Sequence, residues 1–130
     1  VERNPEKEIG WFPVEKTPAA DHSPLFADFP ETIEAFHWHS DTFAIPPGAI
    51  HVARSAACEN QAFVYDERVV ALQFHLESTP ESARALIENC RAELVEAPYI
   101  QRPEAMLSDA NRFAVINRAM DGLLDRLAAL

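Results

Sequence analysis

The sequence predicts an α/β domain, and three observations carry that prediction. Strand-like segments fill about residues 8–76. Amphipathic helices follow at about 80–96 and 108–129. Between them, the apolar run Val69-Val70-Ala71-Leu72 leads into Gln73-Phe74-His75-Leu76-Glu77 and then Ser78-Thr79-Pro80-Glu81, a helix start. A buried strand that delivers polar groups just before a helix is the usual place for ligands and chemistry in open α/β sheets. Strands first and helices last is not the βαβ alternation of a whole α/β domain, and suits its second half. The 130 residues are therefore expected to be the C-terminal portion of a single domain, and Val1 in place of Met fits the removal of an upstream segment.

Taken in order, Glu8-Ile9-Gly10-Trp11-Phe12-Pro13-Val14 reads as a short strand stopped by its proline. Thr17 to Pro30 is rich in Pro and Asp and predicts no more than a helical turn around Pro24–Ala27. Thr32–Trp38 alternates loosely as a strand, whereas His39-Ser40-Asp41-Thr42 is polar and turn-prone, and Ile45-Pro46-Pro47-Gly48 is a loop. Ile50–Ser55 alternates as a half-buried strand should. Gln61–Tyr65 and Val69–Phe74 flank Asp66-Glu67-Arg68, a hairpin with a three-residue loop. Thr79 is positioned as an N-cap, with Pro80 at the first helical position. Ala83, Leu86, Ile87, Cys90 and Leu94 form one apolar stripe, ended by Ala97-Pro98. Ser108 is positioned to cap a second helix with a stripe of Phe113, Ile116, Met120, Leu123, Leu124 and Leu127.

Composition removes several function classes. The formal net charge is −10, from 21 acidic and 11 basic residues, which disfavours nucleic acid and anionic membranes as partners. No apolar run approaches the ~18–20 residues of a membrane span, and no signal-peptide pattern opens the chain. Cys58 and Cys90 lack metal or disulfide spacing and read as reduced thiols of a cytoplasmic protein. Three glycines leave no phosphate-cradling loop, and no Gly-x-Ser/Cys-x-Gly elbow occurs. No cofactor is called for.

His75 and Glu77 are the leading chemical pair. Two residues apart on an extended segment, they share a face. The carboxylate can then hold one ring nitrogen and leave the other as a base, two thirds of a nucleophile–His–acid triad. The bland alternative is a buried histidine hydrogen-bonded to an acid for structural reasons. His37-Trp38-His39 is the rival signal, since two histidines on one strand face could ligate a metal with His75, His51 or Glu77. Its bland alternative is a strand histidine with no task. Pro46-x-Gly48-x-x-His51 echoes a cupin metal motif, but the glutamate that motif needs after His-x-His is missing, and no metal site is expected. Cys58, flanked by Glu59, lacks the electropositive niche of a reactive thiolate, and Cys90 falls on an apolar stripe.

Three blocks then resemble a known family. Glu8–Val14, His37–Phe43, and Asn60–Phe63 with Gln73–Glu77 are similar to the class I (triad-type) glutamine amidotransferases, nearest to members like the amidotransferase domain of GMP synthase. They stand in family order over residues 8 to about 81. The resemblance implies a flavodoxin-like α/β fold, present in part. It also implies hydrolysis of the glutamine side-chain amide to glutamate and ammonia, the ammonia passing to an acceptor, such as a synthase partner. His75 and Glu77 match the family's histidine and glutamate, with Leu76 where relatives usually have Pro. Trp38, His39, Ser40 and Asp41 match a strand-to-loop turn that lines the glutamine pocket, with main-chain contacts to the amino-acid end. The family's nucleophilic cysteine and oxyanion loop lie upstream of the block at Glu8–Val14. The resemblance therefore implies that these residues supply the His/Glu half and are inactive alone. It implies, too, that their sheet shows an apolar edge which the missing N-terminal half or a complementing chain would cover. The alternatives are a glutamine-binding or interaction module without turnover, and a His-rich metal protein.

Overall fold

A computed structural model describes residues 1–130. Five strands, β1 (Glu2–Lys16), β2 (Thr32–Thr42), β3 (Ile50–Arg54), β4 (Ala62–Tyr65) and β5 (Val69–Leu72), form one curled sheet in the order β2-β1-β3-β4-β5. Every neighbouring pair is antiparallel. Helices α1 (Pro80–Asn89), α2 (Pro103–Met106) and α3 (Asn111–Ala128) complete a mixed α/β architecture. No helix is long and apolar enough to cross a membrane.

The β1–β2 pair is the backbone of the sheet, and it is longer than the sequence suggested. β1 begins at Glu2 rather than Glu8, because a register shift between Arg3 and Glu8 absorbs Asn4, Pro5 and their neighbours. A bulge is where a strand tolerates proline. β2 likewise continues through His39–Asp41, which were expected to turn, because Arg3 and Glu8 pair with Asp41 and His39. The register sets two faces. Trp11 opposes Phe36 on one, and their rings meet at 5.2 Å, with Phe113 of α3 at 4.9 Å from Trp11. Trp11 Nε1–H donates to Met106 O at 2.9 Å, so this aromatic core leaves no indole donor unpaired. Glu8, Gly10, His37 and His39 share the other face.

The far edge of β1 is closed by a segment distant in sequence. Ile9 exchanges main-chain hydrogen bonds with Tyr99 and Gln101, both 2.8 Å. The Gln101 side-chain amide then accepts from Trp11 N–H at 2.9 Å and donates to Trp11 O at 3.1 Å, extending the ladder by one rung. This fits only because residue 10 is glycine. A Cβ there would lie 2.4 Å from Gln101 Oε1, and φ is +120°.

Other expectations hold locally and fail at long range. Tyr65 pairs with Val69 around the loop Asp66–Arg68, with positive φ at Asp66 and Glu67. Thr79 caps α1 in a reciprocal box with Ser82. That helix ends at Asn89 instead of near 96, in a short 3₁₀ turn at Arg91–Glu93. Cys90 is consequently its half-buried C-cap, not core, and Leu94 packs on the core from outside the helix. α3 starts at Asn111, with Asp109 accepting from Asn111 N–H, while Ser108 donates to Ala105 O instead of capping. Phe113, Ile116 and Leu123 are buried as expected, but Leu124 is 52 % exposed. Between β1 and β2 a 3₁₀ turn at Pro18–His22 precedes the expected helical turn around Pro24–Ala27, where Ala27 N–H donates to Ser23 O at 2.9 Å, and these turns bury Leu25, Phe26 and Phe29.

Gly10→Ala should cost ~1–3 kcal/mol in urea unfolding, from left-handed backbone strain together with the lost rung. Removing the obstructing amide should not cure it: Gly10→Ala/Gln101→Ala should remain less stable than Gln101→Ala alone. Equal stability would show that backbone strain at this position is unimportant.

Candidate active site

After β5 the chain bends, and its alternation decides what reaches solvent. Phe74 and Leu76 are buried, so His75 and Glu77 project the other way, with side chains 36 % and 56 % exposed. The histidine is delivered by an isolated bridge rather than by the strand itself, which ends at Leu72: His75 N–H donates to Phe36 O at 2.8 Å on the outer side of β2. Asn117 of α3 locks the segment by donating to Leu76 O at 3.0 Å and Ser78 O at 2.9 Å.

His75 Nδ1 lies 2.9 Å from Glu77 Oε1 and 3.1 Å from Oε2, and Ser78 Oγ donates to Oε2 at 3.3 Å. A carboxylate only accepts, so Nδ1 carries the proton in this contact and Nε2 keeps its lone pair. The pair faces an open groove of about 720 Å³, lined also by Ser78, Thr79, Ser82 and Asn89.

The other expected site residues lie further along β2. His75 sits beside Phe36, so Trp38–Asp41 follow two to five residues on, roughly 7–17 Å away. Trp38 Nε1–H donates to Glu93 Oε2 at 3.3 Å. Ser40 borders a shallow recess with Arg3, Asn4, Pro5 and Lys7, and Asp41 is exposed. The His39 ring is turned inward: Nε2 is 2.9 Å from Glu8 Oε1 and Nδ1 is 3.0 Å from Asp41 O.

That inward ring belongs to a cluster the sequence did not announce. Glu8 is fully buried, and Oε1 also accepts from Gln61 Nε2 at 2.7 Å while Oε2 accepts from Ser55 Oγ at 3.0 Å. His37, equally buried, has Nδ1 at 3.7 Å from Glu8 Oε1 and donates through Nε2 to Phe12 O at 3.1 Å. The third group beside His37 and His39 is thus Glu8, not His75, His51 or Glu77. The only sequence signal was a glutamate opening the apolar run Ile9–Val14. Burial alone would raise the Glu8 carboxyl, but the His39 hydrogen bond, the two histidines and Ser55 bring it below the ordinary value. Burial lowers His37 to about 4.

Neither cysteine is prepared for attack. Cys58 is buried against Thr42 Oγ1 and Asn60 O, and burial pushes its thiol up. Cys90 is the half-buried cap of α1.

Comparison with known proteins now decides the family. Residues 4–94 match the family model described as glutamine amidotransferase class-I. This chain belongs to the class I glutamine amidotransferase family. It is 36 % identical over 95 residues to the glutamine amidotransferase-like protein YfeJ of Salmonella typhimurium, covering 73 % of this chain and 40 % of YfeJ. The crystal structure of a glutamine amidotransferase from Methylobacillus flagellatus superposes with a TM-score of 0.87 at 32 % identity, over 98 % of this chain and 54 % of that one. A glutamine amidotransferase from Thermotoga maritima gives 0.81 at 35 % identity, over 97 % and 53 %. The amidotransferase chain described here therefore spans about half the length of these solved relatives, and less of the curated one.

The buried histidine makes acid the weak direction for this amidotransferase chain. Unfolded, His37 takes a proton below its ordinary 6.5; folded, it resists until about 4. The unfolded state binds more protons across that window, so stability falls as pH drops through it. Glu8 acts in the same sense, because its lowered folded value is also lost on acidification. Thermal unfolding should show a midpoint that declines from near pH 6.5 toward pH 4. A flat profile would mean that His37 is already charged in the fold.

Proposed function

We propose that this chain supplies the base and the orienting acid of a glutaminase site, with the cysteine nucleophile on a segment outside these 130 residues. The observation that carries this reading is the His75–Glu77 contact at 2.9 Å, with Nε2 free at an open groove. In the reaction, His75 Nε2 takes the proton of the cysteine thiol as sulfur attacks the side-chain carbonyl carbon of glutamine. The proton then passes to the departing nitrogen, and ammonia leaves. Water enters, gives a proton to the same nitrogen, and cleaves the thioester to glutamate and free thiol. Glu77 holds the ring through Nδ1 and balances the imidazolium that forms twice in the cycle.

The main chain at Trp38, His39, Ser40 and Asp41 receives the amino-acid end of glutamine. Support comes from the inward commitment of the His39 ring, which leaves the strand's main chain as the contact surface. Cys58 is set aside because its thiol is buried and held in the neutral form. Ammonia then goes to a synthase acceptor supplied by a partner.

Co-expression with the nucleophile-bearing half of the Methylobacillus flagellatus relative tests this directly. Ammonia release by the reconstituted pair should fall roughly 10²–10⁴-fold in His75→Ala, and less in Glu77→Gln. An electrophilic glutamine analogue should label the added half alone. An adduct on Cys58 or Cys90, or turnover indifferent to His75→Ala, would refute the assignment.

A further inference from the structure

We propose that Glu8 Oε1, His37 Nδ1 and His39 Nε2 form a binding site for one divalent transition-metal ion of the zinc class. The inference is independent of the glutaminase reading and concerns the opposite, sealed side of β2.

Tautomers carry the argument. His37 Nε2 faces the carbonyl oxygen of Phe12 at 3.1 Å, and a carbonyl only accepts, so Nε2 holds the hydrogen. Nδ1 is then a bare lone pair, and it has no hydrogen-bond partner although its residue has no access to solvent. It faces Glu8 Oε1 at 3.7 Å. His39 meets the same oxygen: Nδ1 faces Asp41 O at 3.0 Å and Nε2 makes the 2.9 Å hydrogen bond to Glu8 Oε1, and a metal taking the place of that hydrogen would meet Nε2 as a second lone pair. The buried carboxylate, the bare His37 Nδ1 and the His39 ring thus converge on one point that calls for positive charge.

A proton on His39 relieves only part of this. An imidazolium there would donate to both Glu8 and Asp41 O, but His37 Nδ1 would still face the carboxylate without a donor. A metal ion satisfies all three atoms. They lie within 4.8 Å of one another, and the ~3.3 Å edge of a tetrahedron with ~2.0–2.1 Å bonds falls within the separations found. Two imidazoles and one carboxylate suit zinc and its neighbours rather than calcium or magnesium. The surroundings fit as well. Metal-bound histidines commonly donate their second nitrogen to a carbonyl, as both do here, and ligating carboxylates are themselves hydrogen-bonded, as Glu8 is by Gln61 and Ser55. The cross-strand register explains the convergence, since Glu8 opposes His39, and Gly10, which has no side chain, opposes His37.

The test uses untagged protein, stripped with a chelator and titrated calorimetrically with zinc chloride, with bound metal counted by mass spectrometry. One zinc per chain is expected, with affinity reduced about 100-fold or more in Glu8→Gln and His37→Gln, beyond the usual loss from an outer partner. If either variant fails to fold, cobalt(II) added to the wild type decides, through visible absorption bands of a low-coordinate nitrogen–oxygen site and perturbed ¹⁵N signals of His37 and His39. Folded wild type that takes up no stoichiometric metal would overturn the proposal. So would uptake unaffected by both variants, which is adventitious binding at surface histidines, or ¹⁵N shifts showing His39 doubly protonated and insensitive to metal.

Discussion

A carboxylate without access to solvent must be fully hydrogen-bonded or neutralised, and Glu8 imposes that requirement on the sheet. Its partners come from β2 through His39, from the turn after β3 through Ser55, and from the entry to β4 through Gln61. One side chain therefore ties together segments that touch only through tertiary folding. The requirement also fixes register. Slipping β1 against β2 by one residue would turn Glu8 toward the face of Phe36 and Phe113 and carry Trp11 away from it. Register in turn places Phe36, whose carbonyl oxygen receives the His75 N–H. The position of the exposed His75 is thus tied, two steps removed, to a buried acid.

The exposed pair depends on the core in a second way. Phe74 and Leu76 insert into the interior, and Asn117 bridges Leu76 O and Ser78 O from α3. Both neighbours of His75 are therefore fixed by packing, and the ring is aimed by main chain instead of by a long flexible loop. The same α3 presents Phe113 to Trp11, so aromatic packing and the aim of His75 share one helix.

What was legible in the sequence was local. The hairpin at Asp66–Arg68, the Thr79 cap and the His75–Glu77 pair depend on residues one to four apart, and each appears where its pattern pointed. The extent of β1 was not legible: its apolar pattern begins at Glu8, and only a bulge against β2 lets the strand run through Asn4 and Pro5. Nothing in the sequence marked Tyr99–Gln101 as ladder-forming, because its partners, Ile9 and Trp11, are some ninety residues away. Leu25, Phe26 and Phe29 sit in a stretch too irregular to carry a period, and they reach the core through turns. His37-Trp38-His39 did signal a shared face, but nothing in the spacing could say that Glu8, on another strand, would be the third member.

Two sets of histidine and glutamate in one chain thus acquire opposite properties from their surroundings. At His75–Glu77 the carboxylate is more than half exposed and the second ring nitrogen is free, so protons can arrive and leave. At Glu8–His37–His39 both outer nitrogens face carbonyls and the inner ones converge on the buried Glu8 carboxylate. The first pair is open to solvent, whereas the cluster is held largely inside the sheet. Residue type alone therefore does not assign chemistry here. The side of β2 on which each histidine lies does, and that side follows from the register fixed by Glu8.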